Sequence, residues 1–359
     1  MRGISRSLQS VLLALALTAG ALPAVAAECG PLKLVTSLNM TMLPSGRPAI
    51  PATIGDRPQT LMVDTGGAFS QLTRKAAREL NLTPTTAPNR NGLRGITGDI
   101  SDQIVRLPSI TIGGMRQEYP SFFISPEQGD PNDSAPAEFD GVISPDLLQN
   151  FDADFDFAAN KLNLFSPDHC EGKVVYWQAP AVAVVPMQLI NRAAQRPLGL
   201  RTRRGRESII GRQDLGDITI RMELDGKRVD AVLDTGVANT NLDLDAAQRD
   251  FKVDVNAPDV EKTGELKGGF TANVYRRRFK TLTVEGVTVA NPMVELLPNL
   301  VVNGPGVGRT GSLVRKDEAP LVLGMSTLSK LHVYIAYKER KLYISAANPG
   351  AAATPAPTP

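Results

Sequence analysis

The chain of 359 residues is poor in metal ligands, with only two histidines and two cysteines. His169 and His332 lie far apart in sequence, and no Cys-x-x-Cys or His-x-x-x-His spacing occurs. A resident metal is therefore not expected, and no other cofactor is implied. Net charge is also nearly absent, at 39 Lys and Arg against 37 Asp and Glu. Two of the basic residues, Arg2 and Arg6, belong to an N-terminal leader, so the remainder is balanced and announces neither nucleic acid nor an anionic membrane as partner. Beyond the leader no apolar run reaches spanning length, which excludes a membrane-anchoring helix. Two common catalytic loops are missing too. Gly324-Met325-Ser326-Thr327-Leu328 lacks the second glycine of a serine-nucleophile elbow. The Gly-x-Gly-x-x-Gly run at 306–311 has no strand–helix–strand pattern around it and no phosphate-binding lysine, so it reads as a loop.

The leader itself is well defined. Arg2 and Arg6 precede an apolar stretch from Val11 to Leu17, and small residues follow at Ala24-Val25-Ala26. This is the pattern of a secretory signal over 1–27, and it implies export to the periplasm or the extracellular space. In an exported chain the two cysteines, Cys29 and Cys170, form one disulfide by default. Such a bridge is expected to close the first half of the chain, contributing about 4–5 kcal/mol in a chain-entropy treatment. Seven arginines fall between 192 and 212, which reads as a solvated insertion between halves. The Ala-, Pro- and Thr-rich end, 347–359, cannot build a core and reads as a disordered tail.

Between leader and tail the chain repeats itself. Asp-Thr-Gly occurs at Asp64-Thr65-Gly66 and again at Asp234-Thr235-Gly236. Each copy follows a short apolar run, Leu61-Met62-Val63 or Ala231-Val232-Leu233, and precedes an Ala-Ala pair, Ala76-Ala77 or Ala246-Ala247. Farther on, Ser109-Ile110-Thr111-Ile112 matches Thr281-Leu282-Thr283-Val284, and Val142-Ile143-Ser144 matches Val322-Leu323-Gly324. A lone Asp-Gly corner marks a turn; a repeat of its whole surroundings marks a duplicated structural unit. Alternation such as Ile218-Thr219-Ile220-Arg221-Met222 predicts strands. Short helices are expected at 73–80 and 243–250, just after each motif. Two carboxylates brought together from matched halves cannot both ionise comfortably, so they share a proton, one acting as base and the other as acid.

The order apolar-apolar-Asp-Thr-Gly, glycine-bearing hairpin, apolar-apolar-Gly resembles the pepsin and retropepsin group of aspartic peptidases. Two copies in one chain resemble its bilobal members, and the compact halves resemble the bacterial retropepsin-like type. The resemblance implies an all-β, pepsin-like acid protease fold: two β-barrel-like lobes, 28–170 and 215–346, related by a pseudo-twofold axis, with a cleft between them and 171–214 as linker. It implies Asp64 and Asp234 as the catalytic pair, and Thr65, Gly66, Thr235 and Gly236 as support, the threonines cross-linking the two loops beneath the acids. It also implies flaps over the cleft, for which Gly95, Ile96, Thr97 and Gly98 in the first half and Gly268, Gly269 and Phe270 in the second are candidates. The expected activity is endopeptidase cleavage of an extended peptide or unfolded protein, by a monomer that needs no partner copy. The residue after the motif, often a hydroxyl side chain in pepsin-like enzymes, is Gly67 or Val237 here, and Ser144 stands where glycine is expected. The first departure predicts a less acidic optimum than pepsin's and leaves open a catalytically silent relative that binds peptides or a protein partner in the cleft; the second weakens the first half's match without touching the acids.

Overall fold

A computed structural model describes residues 29–67, 69–87, 93–94, 100–126, 138–190, 216–267, 271–298 and 319–347. The leader, the flap candidates Gly95, Ile96, Thr97, Gly98, Gly268, Gly269 and Phe270, the arginine-rich stretch, the 306–311 loop and the tail lie outside the described residues.

Each half begins its barrel with a hairpin that delivers an Asp-Thr-Gly motif. In the first, Pro48–Ile54 pairs antiparallel with Arg57–Val63 around a turn at Gly55, whose φ of +63° suits a residue without Cβ. In the second, Asp217–Leu224 pairs with Lys227–Leu233. Leu61 and Val63, like Ala231 and Leu233, turn into the core and are buried, so the strand ends are fixed by packing just before the aspartates. Gly141–Ile143 runs parallel to Leu61–Val63, and Leu321–Leu323 runs parallel to Ala231–Leu233.

The two ten-stranded sheets share one strand order over nine strands, the tenth of each, Thr41–Met42 and Gln188–Ile190, pairing off that path. The first reads Met115–Glu118, Ser109–Ile112, Pro48–Ile54, Arg57–Val63, Gly141–Ile143, Gln71–Leu72, Ser121–Ile124, Gln103–Arg106, Thr85–Thr86. The second reads Val287–Ala290, Thr281–Val284, Asp217–Leu224, Lys227–Leu233, Leu321–Leu323, Asn241–Asp243, Met293–Leu297, Thr271–Arg278, Val260–Lys267. The expected helices are present as Arg74–Glu79 and Leu244–Phe251. Their N-termini are capped by Thr73 and Asp243, whose side chains accept from the N–H groups of Ala76 and Ala246.

A third sheet joins the halves. Its order is Leu34–Asn39, Lys161–Phe165, Asp152–Asp156, Leu331–Ala336, Lys341–Ala346, Ala183–Pro186. Residues 183–190, which the sequence reading leaves in the linker, therefore supply two strands: Ala183–Pro186 here, and Gln188–Ile190 against Asp217–Leu224. They occupy the places that Leu34–Asn39 and Thr41–Met42 hold in the first half. The weak periodicity of so short a run hides them from sequence. The Cys29–Cys170 disulfide is present, with Cα atoms 4.8 Å apart. It flanks the paired strands Leu34–Asn39 and Lys161–Phe165, so it staples an edge of the joining sheet rather than closing the first barrel.

One face of the joining sheet packs on the barrels through Phe155, Leu162, Val333 and Ile335. The other is covered by Val174, Tyr176, Trp177 and Val182 and contains both histidines of the chain. His169 Nε2 lies 2.6 Å from Asp152 Oδ2, and His332 Nε2 lies 2.6 Å from Asp154 Oδ1. The ring of His332 stacks on Trp177 at 4.2 Å. Burial works against charge on each imidazole. For His169 the bonds to Asp152 and the Cys170 carbonyl, with the charges of Asp152 and Glu339, outweigh it; for His332 the bond and charge of Asp154, with Asp156, do so. Both are held above the ordinary value of 6.5. Burial also holds Asp152 above its ordinary value, against hydrogen bonds from His169, Tyr334 and the Tyr337 N–H. All three groups bind their protons more tightly folded than unfolded. The histidines' contribution is complete below their unfolded value of 6.5 and is lost as pH rises through the folded ones, whereas that of Asp152 is complete only below its unfolded value of 3.8 and is lost as pH rises through its folded one. The urea midpoint is accordingly expected to fall as pH rises above about 6.5, and H169Q/H332Q is expected to flatten that fall.

Candidate active site

The two motif loops meet at the boundary between the halves, and the polar backbone groups there are accounted for reciprocally. Thr65 and Thr235 are buried beneath the aspartates. The Thr65 N–H donates to Thr235 Oγ1 at 3.1 Å, and the Thr235 N–H donates to Thr65 Oγ1 at 3.1 Å. Each hydroxyl then donates onward, Thr65 to the Leu233 carbonyl at 3.0 Å and Thr235 to the Val63 carbonyl at 2.7 Å. Each threonine thus donates two bonds across the boundary, from its N–H and its hydroxyl, and accepts one, which leaves no donor of theirs unmet. The cross-linking expected from the resemblance is present.

The aspartates are half-buried and tied by backbone on two sides. The Asp64 N–H donates to the Ile143 carbonyl at 2.9 Å, and the Asp234 N–H to the Leu323 carbonyl at 3.1 Å. Within each loop a glycine N–H donates to the carboxylate, Gly66 to Asp64 Oδ1 and Gly236 to Asp234 Oδ1, both at 2.9 Å. The glycines also make room across the boundary. A Cβ on Gly66 would lie 2.3 Å from Asp234 Cγ, and a Cβ on Gly236 would lie 2.6 Å from Asp64 Cγ. Each carboxylate therefore sits directly against the other half's glycine. Only a residue without a side chain permits that approach.

A second layer holds the loops from behind, and sequence reading missed it. In the first half the Ser70 N–H and hydroxyl both donate to Asp146, the hydroxyl at 2.7 Å, while Ser70 Oγ accepts from the Ser144 N–H at 3.1 Å. In the second half Thr240 takes the place of Ser70. Its N–H donates to Ser326 Oγ at 2.9 Å, and its Oγ1 accepts from the Gly324 N–H at 3.2 Å. Asp146 thus stands where the repeat has a serine. Burial pushes its carboxyl up to about 6, although the bonds from Ser70 resist. The repeat offsets that align the motifs also align Ser70 with Thr240 and Asp146 with Ser326, so the signal was available.

The flap candidates lie outside the described residues, but the strands beside them pair. Leu93–Arg94 is antiparallel to Ile100–Ser101, and Val260–Lys267 is antiparallel to Thr271–Arg278 with an irregularity between Lys262 and Gly264. Among the described residues no group of three His, Cys, Asp or Glu has the arrangement to hold a metal ion, and no helix is long and apolar enough to cross a membrane.

The sequence profile described as aspartyl protease matches residues 50–143 and 220–327, one segment in each half. A comparison with curated proteins gives no match. Among solved structures, basic 7S globulin from soybean is similar at 11% identity and a TM-score of 0.48, over 90% of this chain and 98% of that one. Two barrels of identical strand order, a joining sheet and one Asp-Thr-Gly loop from each barrel make this a pepsin-like fold, and the chain belongs to the aspartyl protease family.

Proposed function

We propose that the chain is an exported aspartic endopeptidase, with Asp64 and Asp234 as its catalytic pair. The observation that carries this reading is the reciprocal seating of each carboxylate against the glycine of the opposite loop. Two carboxyl groups held there share one proton and grip a water between them. The ionised member takes a proton from the water as its oxygen attacks the scissile carbonyl, and the protonated member donates to the carbonyl oxygen. Collapse of the tetrahedral intermediate then passes a proton to the leaving amine. No bond to the enzyme forms, so the protein supplies position and charge. The substrate is an extended peptide that pairs with cleft backbone, its side chains setting preference. The hairpins on either side of 95–99 and 268–270 close over it.

The test is digestion of unfolded casein by the purified protein over about pH 3–8. Cleavage blocked by a statine-containing peptide is expected. Absence of cleavage throughout, with the inhibitor bound, would point instead to a silent relative that holds peptides.

A further inference from the structure

The two halves differ at one spot beside the aspartates, and the difference is an exchange. After the motif the second half carries Val237 and the first carries Gly67; at the end of the neighbouring strand the second half carries Gly324 and the first carries Ser144. These positions face each other. A Cβ on Gly67 would lie 2.5 Å from Ser144 Oγ and 2.7 Å from Asp64 Oδ2. The hydroxyl and the carboxylate oxygen therefore flank one small space, open only because residue 67 is glycine. The second half has no such arrangement, since Val237 carries a side chain where Gly67 has none and Gly324 has no hydroxyl.

Ser144 is buried, and its Oγ has no hydrogen-bond partner among the described residues. It precedes the short helix Pro145–Leu148, yet its side chain makes no capping bond to it. Its N–H is held by Ser70 Oγ, whose own proton goes to Asp146, so the hydroxyl is not engaged on that side. A buried hydroxyl without a partner is costly, and the acceptor across the Gly67 space is Asp64 Oδ2.

We infer that Ser144 is a positioning residue for Asp64: a small shift of its side chain, which makes no hydrogen bond in the structure, brings its hydroxyl into donating reach of Asp64 Oδ2 beside Gly67. Resting on the proton-sharing pair proposed above, this makes Asp64 the member that holds the negative charge and Asp234 the member that keeps the proton. Asp64 is then the base toward the attacking water, and Asp234 the acid toward the carbonyl oxygen. The titratable groups around Asp64 are Asp234 across the boundary and Asp146 behind Ser70 and Ser144. The matching positions of the second half, Val237 and Gly324, carry no hydroxyl, so the Ser144 bond drives the acidity of Asp64 away from that of Asp234.

The experiment is a pH titration of the Asp64 and Asp234 side-chain carboxyl carbons by NMR, assigned with D64N and D234N. It is run on the full chain and on S144A, S144G, G67S and G67S/S144G. In the unaltered protein Asp64 is expected to titrate at the lower midpoint. In S144A and S144G that midpoint is expected to rise by about one pH unit, and the acid limb of kcat/KM to move with it. G67S alone is expected to lose activity, because its Cβ collides with Ser144 and Asp64. The exchanged pair G67S/S144G is expected to recover both activity and the lower midpoint. An Asp64 midpoint unmoved in both S144A and S144G overturns the inference. The readout does not depend on turnover: a Ser144-dependent midpoint in a protein that cleaves nothing would sink the peptidase proposal and leave the Ser144–Asp64 bond standing.

Discussion

Asp64→Asn is expected to lower kcat/KM on an unfolded protein substrate by about a thousandfold or more, the upper part of the range for removing a general acid–base group. The amide neither takes the water's proton nor shares one with Asp234. The fold should tolerate the change, because the amide oxygen still accepts from the Gly66 N–H that now bonds Asp64 Oδ1. One of two opposed carboxyls is also neutralised, so the melting temperature is expected to stay level or rise slightly. Asp234→Asn should behave alike, since the Gly236 N–H bonds Asp234 in the same way. Loss of activity together with loss of the folded state would mean that the aspartates are structural. Retained activity in either variant would remove that residue from the chemistry.

Gly66→Ala carries the second large effect, and it acts on the opposite half. The added methyl would lie 2.3 Å from both Cγ and Oδ2 of Asp234. The three nearest atoms all belong to that one side chain, so the fold yields by moving its end, at small cost in stability. The carboxylate that moves is half of the pair. A displacement near 1 Å at such a site costs on the order of a hundredfold in rate. The expected signature is a collapse of kcat with a nearly unchanged unfolding midpoint. Gly236→Ala should show the same through Asp64, whose Cγ would lie 2.6 Å from the new methyl. Full activity in G66A would contradict the close seating on which the proposed chemistry depends.

The parts of the molecule that the sequence announced are those fixed by local chemistry repeated twice. The motif loops, the hairpins before them and the helices after Thr73 and Asp243 each rest on a strand run, a turn or a cap that a few residues specify. The threonine cross-links followed from the resemblance, and all four bonds are present. The joining sheet was far less legible. Its strands come from both ends of both halves, and Ala183–Pro186 has neither the length nor the alternation to be recognised alone. The histidines showed in sequence only as too sparse for a metal site, because their partners, Asp152 and Asp154, are placed by long-range pairing of Asp152–Asp156 with Leu331–Ala336. Gly67 and Ser144 looked like two separate departures, since nothing local shows that the 76 intervening residues fold to set them face to face.

The proposed chemistry requires one acidic side chain from each half to converge on a single reacting oxygen. A diffraction structure with a statine-containing peptide in the cleft tests it, because the inhibitor's hydroxyl stands for the attacking water. That hydroxyl is expected within about 3 Å of a carboxylate oxygen of Asp64 and of Asp234 at once. A hydroxyl that contacts only one of them, or carboxylates too far apart for one oxygen to touch both, would contradict it.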